Sequence, residues 1–306
     1  MEGGAAQPGL AHRPVLVTEV LELLAPAGRA VLVDCTVGLG GHAEPLLEAA
    51  GPNALLIGLD LDEENLRRCK DRLARFGGRV RLFSANFTRL ADVLRECGVS
   101  GADALLADLG IASSQLDDPM RGLSFMAEGP LDMRLNREGR TTAADLVNRL
   151  EEKALADLIY GFGEERYSRR IARAVVAARK EKPILRTVEL AKIVASAYPP
   201  ATRRTRRGVH PATRTFLALR AAVNEEPANL DALLRLLPTA MNVGGRAAVI
   251  SFQSLEDRRV KHAFADWAAT GTARLLSRRV IEPGEAEQRD NPRSRSAKLR
   301  VVERVA

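Results

Sequence analysis

Three apolar runs that each end in an aspartate do most to limit what this chain can fold into: Ala30–Asp34, Ala54–Asp60 and Ala102–Asp108. Each is too short for a typical helix and shows no apolar/polar alternation, the mark of strands buried on both faces. A fourth run, Val80–Phe83, is shorter. Between the runs lie helical stretches, from the glycines at 38, 40 and 41 to Ala50, from Asn65 to Phe76, and from Leu90 to Cys97. Strand and helix in alternation predict an α/β fold with a parallel sheet covered on both faces. Ligands on such sheets bind outside the carboxyl ends of the strands, which is where all three acids fall.

The alternation stops near Ser113. From there to Pro211 no convincing strand is legible, and helical spacing marks residues 142–150, 153–160, 165–180 and 188–197. Thr142-Ala-Ala-Asp145 has the form of a capping box. Strand signals return late. A helical stretch, Thr213–Leu237, is interrupted by Pro227, Gly244-Gly245 reads as a turn, Arg246–Phe252 as a strand and Leu255–Trp267 as a helix. Leu299 and Val301 alternate with Lys298 and Arg300 as in a half-exposed strand. The expectation is one doubly wound domain, residues 1–112 and 212–306, interrupted by an all-helical domain over residues 113–211. Residues 1–10 and Glu282–Arg295 read as flexible.

Composition narrows the function classes. Lys and Arg number 46 against 39 for Asp and Glu, a formal charge of +7, which suits an anionic partner without demanding one. The three cysteines, Cys35, Cys69 and Cys97, form no CxxC pair, so neither a zinc site nor a disulfide framework is supported, and a reduced cytosolic compartment is the natural reading. Met1–Gly9 lacks the basic start and apolar core of a signal peptide. No stretch approaches the ~20 apolar residues of a membrane span.

The first chemical constellation is Asp34-Cys-Thr-Val-Gly38-Leu-Gly40-Gly41-His42. A strand feeds a glycine-rich turn that opens a helix, where backbone approaches a ligand closely and free N–H groups point outward. Asp60 ends the next strand, placed to accept the hydroxyls of a ribose. Asp108-Leu-Gly-Ile-Ala-Ser-Ser-Gln115 follows as a second acid-ended strand with small residues after it. Three readings stay open on these residues: an adenosylmethionine site, a dinucleotide site, because Gly38-x-Gly40-x-x-Ala43 also meets that fingerprint, and a ligand-free turn. Asp34 favours the first, since a carboxylate there suits the ammonium of a methionine and is misplaced beside a pyrophosphate.

The wider set of motifs resembles the bacterial 16S ribosomal RNA cytosine-N4 methyltransferases of the RsmH/MraW family. In order these are His12-Arg-Pro-Val-Leu, Asp34 to His42, Asp108-Leu-Gly-Ile-Ala-Ser-Ser-Gln-Leu-Asp117, Arg121-Gly-Leu-Ser-Phe-Met, Gly129-Pro-Leu-Asp-Met-Arg134 and Gly163-Glu-Glu-Arg-Tyr. Then come His210-Pro-Ala-Thr-Arg-Thr-Phe216, Ser254-Leu-Glu-Asp-Arg258 and Asn291-Pro-Arg-Ser-Arg-Ser-Ala-Lys-Leu-Arg300. The resemblance spans nearly the whole chain. It implies a class I methyltransferase fold with an inserted helical domain, S-adenosyl-L-methionine as cofactor, and methylation of a cytidine N4 in the decoding region of the small ribosomal subunit. It implies cofactor contacts at Gly40, Gly41 and His42 on the methionine side, Asp60 at the ribose, and Phe87, Asp108 and Gln115 around the adenine and methyl end. Three departures stand out: Gln253 replaces the family's histidine, Pro227 its leucine, and Leu217 its glutamine after Phe216. The oligomeric state, a homodimer included, is left open.

Methyl transfer to an exocyclic amine needs alignment, exclusion of water and an acceptor for the amine's hydrogen. Asp108, or a carbonyl in 108–115, is the first candidate acceptor and the loop with Asp132 and Arg134 the second; no catalytic base is assigned. RNA contacts are expected at Arg134, Arg203, Arg206, Arg207, His210 and Arg214, with Arg204 and Arg220 in the same arginine-rich stretch. A second basic stretch, 165–182, is read as either an RNA patch or a solvated face, and Arg293, Arg295, Lys298 and Arg300 form a third patch. The competing functions are a dinucleotide-dependent oxidoreductase and an assembly factor that binds RNA without turnover.

Overall fold

A computed structural model describes residues 13–199 and 210–306. The four expected strands form, as β1 (Val31–Asp34), β2 (Leu55–Asp60), β3 (Val80–Ser84) and β4 (Ala102–Asp108), separated by helices α2 (Ala43–Ala50), α3 (Glu63–Arg72) and α4 (Leu90–Glu96). They join β5 (Met241–Ser251), β6 (Ala273–Leu275) and β7 (Lys298–Arg304) in one seven-stranded sheet of order β3-β2-β1-β4-β5-β7-β6. Strands β1 to β5 are parallel, whereas β7 runs antiparallel to both neighbours. This is the doubly wound class I methyltransferase arrangement.

The apolar runs are continuous because both faces are covered. Leu32, Leu56, Leu106 and Ile250 pack on one face with Val20 and Leu24 of α1 (Val17–Leu24) and Leu46 and Leu47 of α2. Val33, Ile57, Leu105 and Val249, the intervening residues, are buried as well. Burial of an aliphatic side chain of this size contributes about 1.5–3 kcal/mol, which lets the domain hold together with few aromatics.

The chain divides into two compact units, residues 1–112 with 231–306, and Ser113–Leu230. The second boundary therefore lies after Leu230, not at residue 211. The helix Thr213–Val223 packs against Glu152–Gly163 and so belongs to the helical unit. That unit also contains the helices Ala143–Arg149, Ser168–Glu181 and Thr187–Ala197. Thr142 and Asp145 make the expected reciprocal capping box.

Three other local expectations change. Gly244-Gly245 is no turn but a bulge inside β5, whose register against β4 jumps between the Ala102–Met241 and Ala104–Arg246 pairs; Gly244 has φ +77, which the bulge exploits. The break in the helical stretch comes at Asn224 and Glu225, the latter at φ +51, and Pro227 falls in the first turn of the helix Glu226–Ala240, where its missing N–H costs nothing. Residues 282–295, expected to be flexible, include a short helix, Glu285–Asp290, and a 3-10 segment, Pro292–Ser296.

Candidate active site

Register places the three acids. Asp34 pairs with Gly58 of β2 and Leu106 of β4, so Asp60 and Asp108 each stand two residues further along on the flanking strands. With side chains alternating across a strand, all three carboxylates share one face, and Asp34 is recessed by about 6–7 Å between the other two. Asp34 is only 1% exposed. A ligand ammonium at the rim would therefore feel its charge from beneath.

The loop after β1 ties these ends together. The Thr36 N–H donates to Asp34 Oδ1 at 3.1 Å, and Thr36 Oγ1 accepts the Asp108 N–H at 2.7 Å. The Gly38 N–H donates to Asp60 Oδ2 at 2.9 Å, and the Asp62 N–H to Oδ1 at 2.7 Å. His42, the residue before α2, directs Nε2 to the Val15 carbonyl at 2.8 Å and Nδ1 toward Asp108 Oδ2 at 3.8 Å. Neither Thr36 nor Val15 was singled out from the sequence; the Thr in the glycine motif and the His12–Leu16 motif were the available signals.

Burial pushes Asp34 up to about 6, against the pull of His42 and the Thr36 N–H. Burial likewise raises Asp60 to about 6, against the N–H groups of Asp62 and Gly38. Among the described residues neither forms an ion pair, so these two carboxylates carry negative charge that no cation offsets directly.

Gly40 and Gly41 lie in the turn as expected, but the space they leave is filled by protein. A Cβ on Gly40, at φ +77, would meet Cys69 Sγ at 3.1 Å, and one on Gly41 would meet Pro14 at 3.2 Å. Their smallness lets α3 and the N-terminal segment close on the turn. Phe87 follows β3 in a short 3-10 turn capped by Asn86, and its ring is half-buried rather than part of the core. Gln115 belongs to the helical unit, buried in the short helix Ser113–Asp117.

The residues expected at RNA behave unequally. Arg134 is spent within its own loop: Nε and Nη2 bind the two oxygens of Asp132, each at 2.7 Å, and Nη1 donates to the Arg137 and Gly139 carbonyls. Asp132 is thereby tied to Arg134, which leaves its loop the second candidate acceptor behind Asp108. His210 is exposed, with its ring 4.7 Å from Phe125, which in turn lies 4.9 Å from Phe216. Thus the motifs Arg121–Met126 and His210–Phe216 meet. Arg214 is exposed and gives one donor to the Glu164 carbonyl. Arg203, Arg204, Arg206 and Arg207 lie outside the described residues. In the C-terminal basic stretch Arg300 is paired with Asp257, so the stretch is partly structural. Gln253 precedes the helix Ser254–Ala269 and shares a capping box with Glu256, a role that needs no titrating group.

The sequence profile of the MraW methylase family matches residues 9–305. The chain belongs to the MraW methylase family. It is a methyltransferase, with S-adenosyl-L-methionine as its methyl donor. A relative from Syntrophobacter fumaroxidans, named ribosomal RNA small subunit methyltransferase H, is 48% identical over 97% of this chain and 97% of its own. One of the same name from Geobacter sp. strain M21 is 47% identical over 96% of this chain and 98% of its own. The dinucleotide reading of the glycine turn gives way to this membership. The geometry agrees, because a pyrophosphate would add negative charge beside Asp34 and Asp60, which no ion pair balances among the described residues.

Proposed function

We propose that this chain methylates the exocyclic N4 of a cytidine in the decoding region of 16S ribosomal RNA in the small subunit, working in the cytoplasm. The observation that carries the donor side is the pair of carboxylates Asp34 and Asp60, neither of them ion-paired among the described residues, which suits a cationic sulfonium and ammonium. The acceptor side is supported by the family motifs and by the relatives' names.

When bound, the donor supplies a methyl group already made electrophilic by its sulfonium. Asp60, with lone pairs to spare beyond its two backbone bonds, takes the ribose hydroxyls. Phe87 offers a half-open ring face to the adenine. His42 lies on the methionine side and Asp108 at the adenine and methyl end, where the family resemblance also implies a contact from Gln115. Gly40 and Gly41 keep the turn tight enough to hold His42 in place. Asp108 accepts a hydrogen from the cytosine amine, whose lone pair is otherwise delocalised into the ring. The target base must leave its stack to reach the rim. Arg134, Arg203, Arg206, Arg207 and Arg214, with His210, bind the RNA, Arg134 through the donor capacity its loop leaves open.

The test is transfer of labelled methyl from S-adenosyl-L-methionine to small subunits that lack the modification, followed by nucleoside analysis. Label in N4-methylcytidine is expected; label in any other nucleoside, or none in RNA, rejects the proposal. An Asp108→Ala enzyme that binds donor normally and keeps full turnover rules out Asp108 as acceptor.

A further inference from the structure

The segment Arg13–Leu16 lies against the glycine turn, with Pro14 on Gly41 and the Val15 carbonyl on His42 Nε2. Leu16 is fully buried yet has left-handed backbone, φ 57 and ψ 32, a conformation that persists only where surrounding contacts over-determine it. One of those contacts comes from the far end of the chain. Glu287, in the segment expected to be flexible, accepts the Leu16 N–H on Oε1 at 2.9 Å. Close by, Asn291 donates to the Arg13 carbonyl at 3.2 Å and Asp290 sits 3.6 Å from the Arg13 guanidinium.

The Val15 carbonyl and the Leu16 N–H are two ends of one peptide group. A carboxylate on the N–H end polarises that group and makes its oxygen a stronger acceptor, because hydrogen bonds in a chain reinforce one another. An imidazole whose Nε2 donates to a carbonyl has that tautomer fixed, with Nδ1 turned the other way. Here the other way is Asp108, 3.8 Å distant. We propose that Glu287 is a positioning residue for the cofactor site: acting through the Val15–Leu16 peptide, it keeps the proton of His42 on Nε2 and aims Nδ1 at the rim beside Asp108.

This rests on the reading that His42 and Asp108 line the donor site, and the test separates the two. Long-range proton–nitrogen correlation on ligand-free protein labelled with [15N]histidine reads the tautomer directly. With four histidines in the chain, the resonance that disappears in His42→Ala makes the assignment. The wild type is expected to show His42 protonated on Nε2. Glu287→Ala is expected to spread His42 over both tautomers and to weaken adenosylhomocysteine binding on the order of tenfold, the low end of what losing the outer partner of a metal-ligating histidine costs. Glu287→Gln, which keeps an acceptor oxygen and loses the charge, is expected to retain the tautomer with an intermediate affinity. It also provides the comparison if Glu287→Ala does not fold. A wild-type His42 protonated on Nδ1 overturns the proposal. So does a Glu287→Ala protein that matches the wild type in tautomer or in affinity, or, where that variant does not fold, a Glu287→Gln protein that binds adenosylhomocysteine as tightly as the wild type. If the wild type itself fails to bind adenosylhomocysteine, the donor-site reading falls, while the tautomer measurement still decides the role of Glu287.

Discussion

Asp34 and Asp60 both titrate at about 6 in the folded chain because burial opposes their ionisation. In an unfolded chain the same side chains release their protons near pH 3.9. Between roughly pH 4 and 6 the folded protein therefore holds more protons than the unfolded one. The stability these acids contribute is present below about pH 4 and is lost as pH rises through about 6. A cationic ligand at the rim favours their ionised forms and offsets that loss. Affinity for S-adenosyl-L-methionine is accordingly expected to rise on the order of tenfold between pH 5 and pH 7.5, with proton release on binding. Titration calorimetry in buffers of different ionisation enthalpy checks this. Flat affinity with no proton release would show that the donor does not meet these charges.

At the scale of elements, short polar signals proved as telling as apolar periodicity. The Thr142–Asp145 capping box opens the helix Ala143–Arg149, with the Asp145 N–H on Thr142 Oγ1 at 3.1 Å and the Thr142 N–H on Asp145 Oδ2 at 3.0 Å. Thr142→Ala is expected to cost about 1 kcal/mol, and Thr142→Ser much less. Hydrogen exchange of the amides of that helix is the measurement, and equal protection in both variants would remove the cap from the account. The strand Ala273–Leu275 shows the reverse case. Three residues at a sheet edge carry too little pattern to be read, and only pairing with β7 makes them a strand. The bulge in β5 escaped for a related reason: two glycines signal a turn and a bulge equally well, and the partner strand decides between them.

For the whole molecule, a formal charge of +7 leaves the location of the positive surface undecided. Tertiary contacts sort the cations. Arg134, Arg300 and Arg220 are bound to Asp132, Asp257 and Glu226. Arg169, Arg170 and Lys180 stay exposed. The cluster Arg203, Arg204, Arg206 and Arg207 has no acid within its stretch of sequence. Replacing all four by Gln is expected to weaken binding to small-subunit RNA. Its dependence on salt should flatten too, the log–log slope falling by roughly 0.7–0.9 for each phosphate no longer neutralised. An unchanged salt slope would move the RNA surface elsewhere. No helix among the described residues is long and apolar enough to cross a membrane.

The alternation of β1 to β4 with their helices, the helical interruption beginning at residue 113 and the acids at the strand ends were legible in the sequence. Each rests on local spacing and burial pattern, which neighbouring residues carry by themselves. Which face the carboxylates share, how far Asp34 is recessed, where the second boundary falls and which arginines remain exposed were decided by register and packing between distant segments. Glu287 is the clearest case. It is an ordinary acid in a polar stretch, and it acquires a role because folding brings it to a peptide group 271 residues away in sequence. A hydrogen bond across that separation leaves no periodicity in the chain to be read.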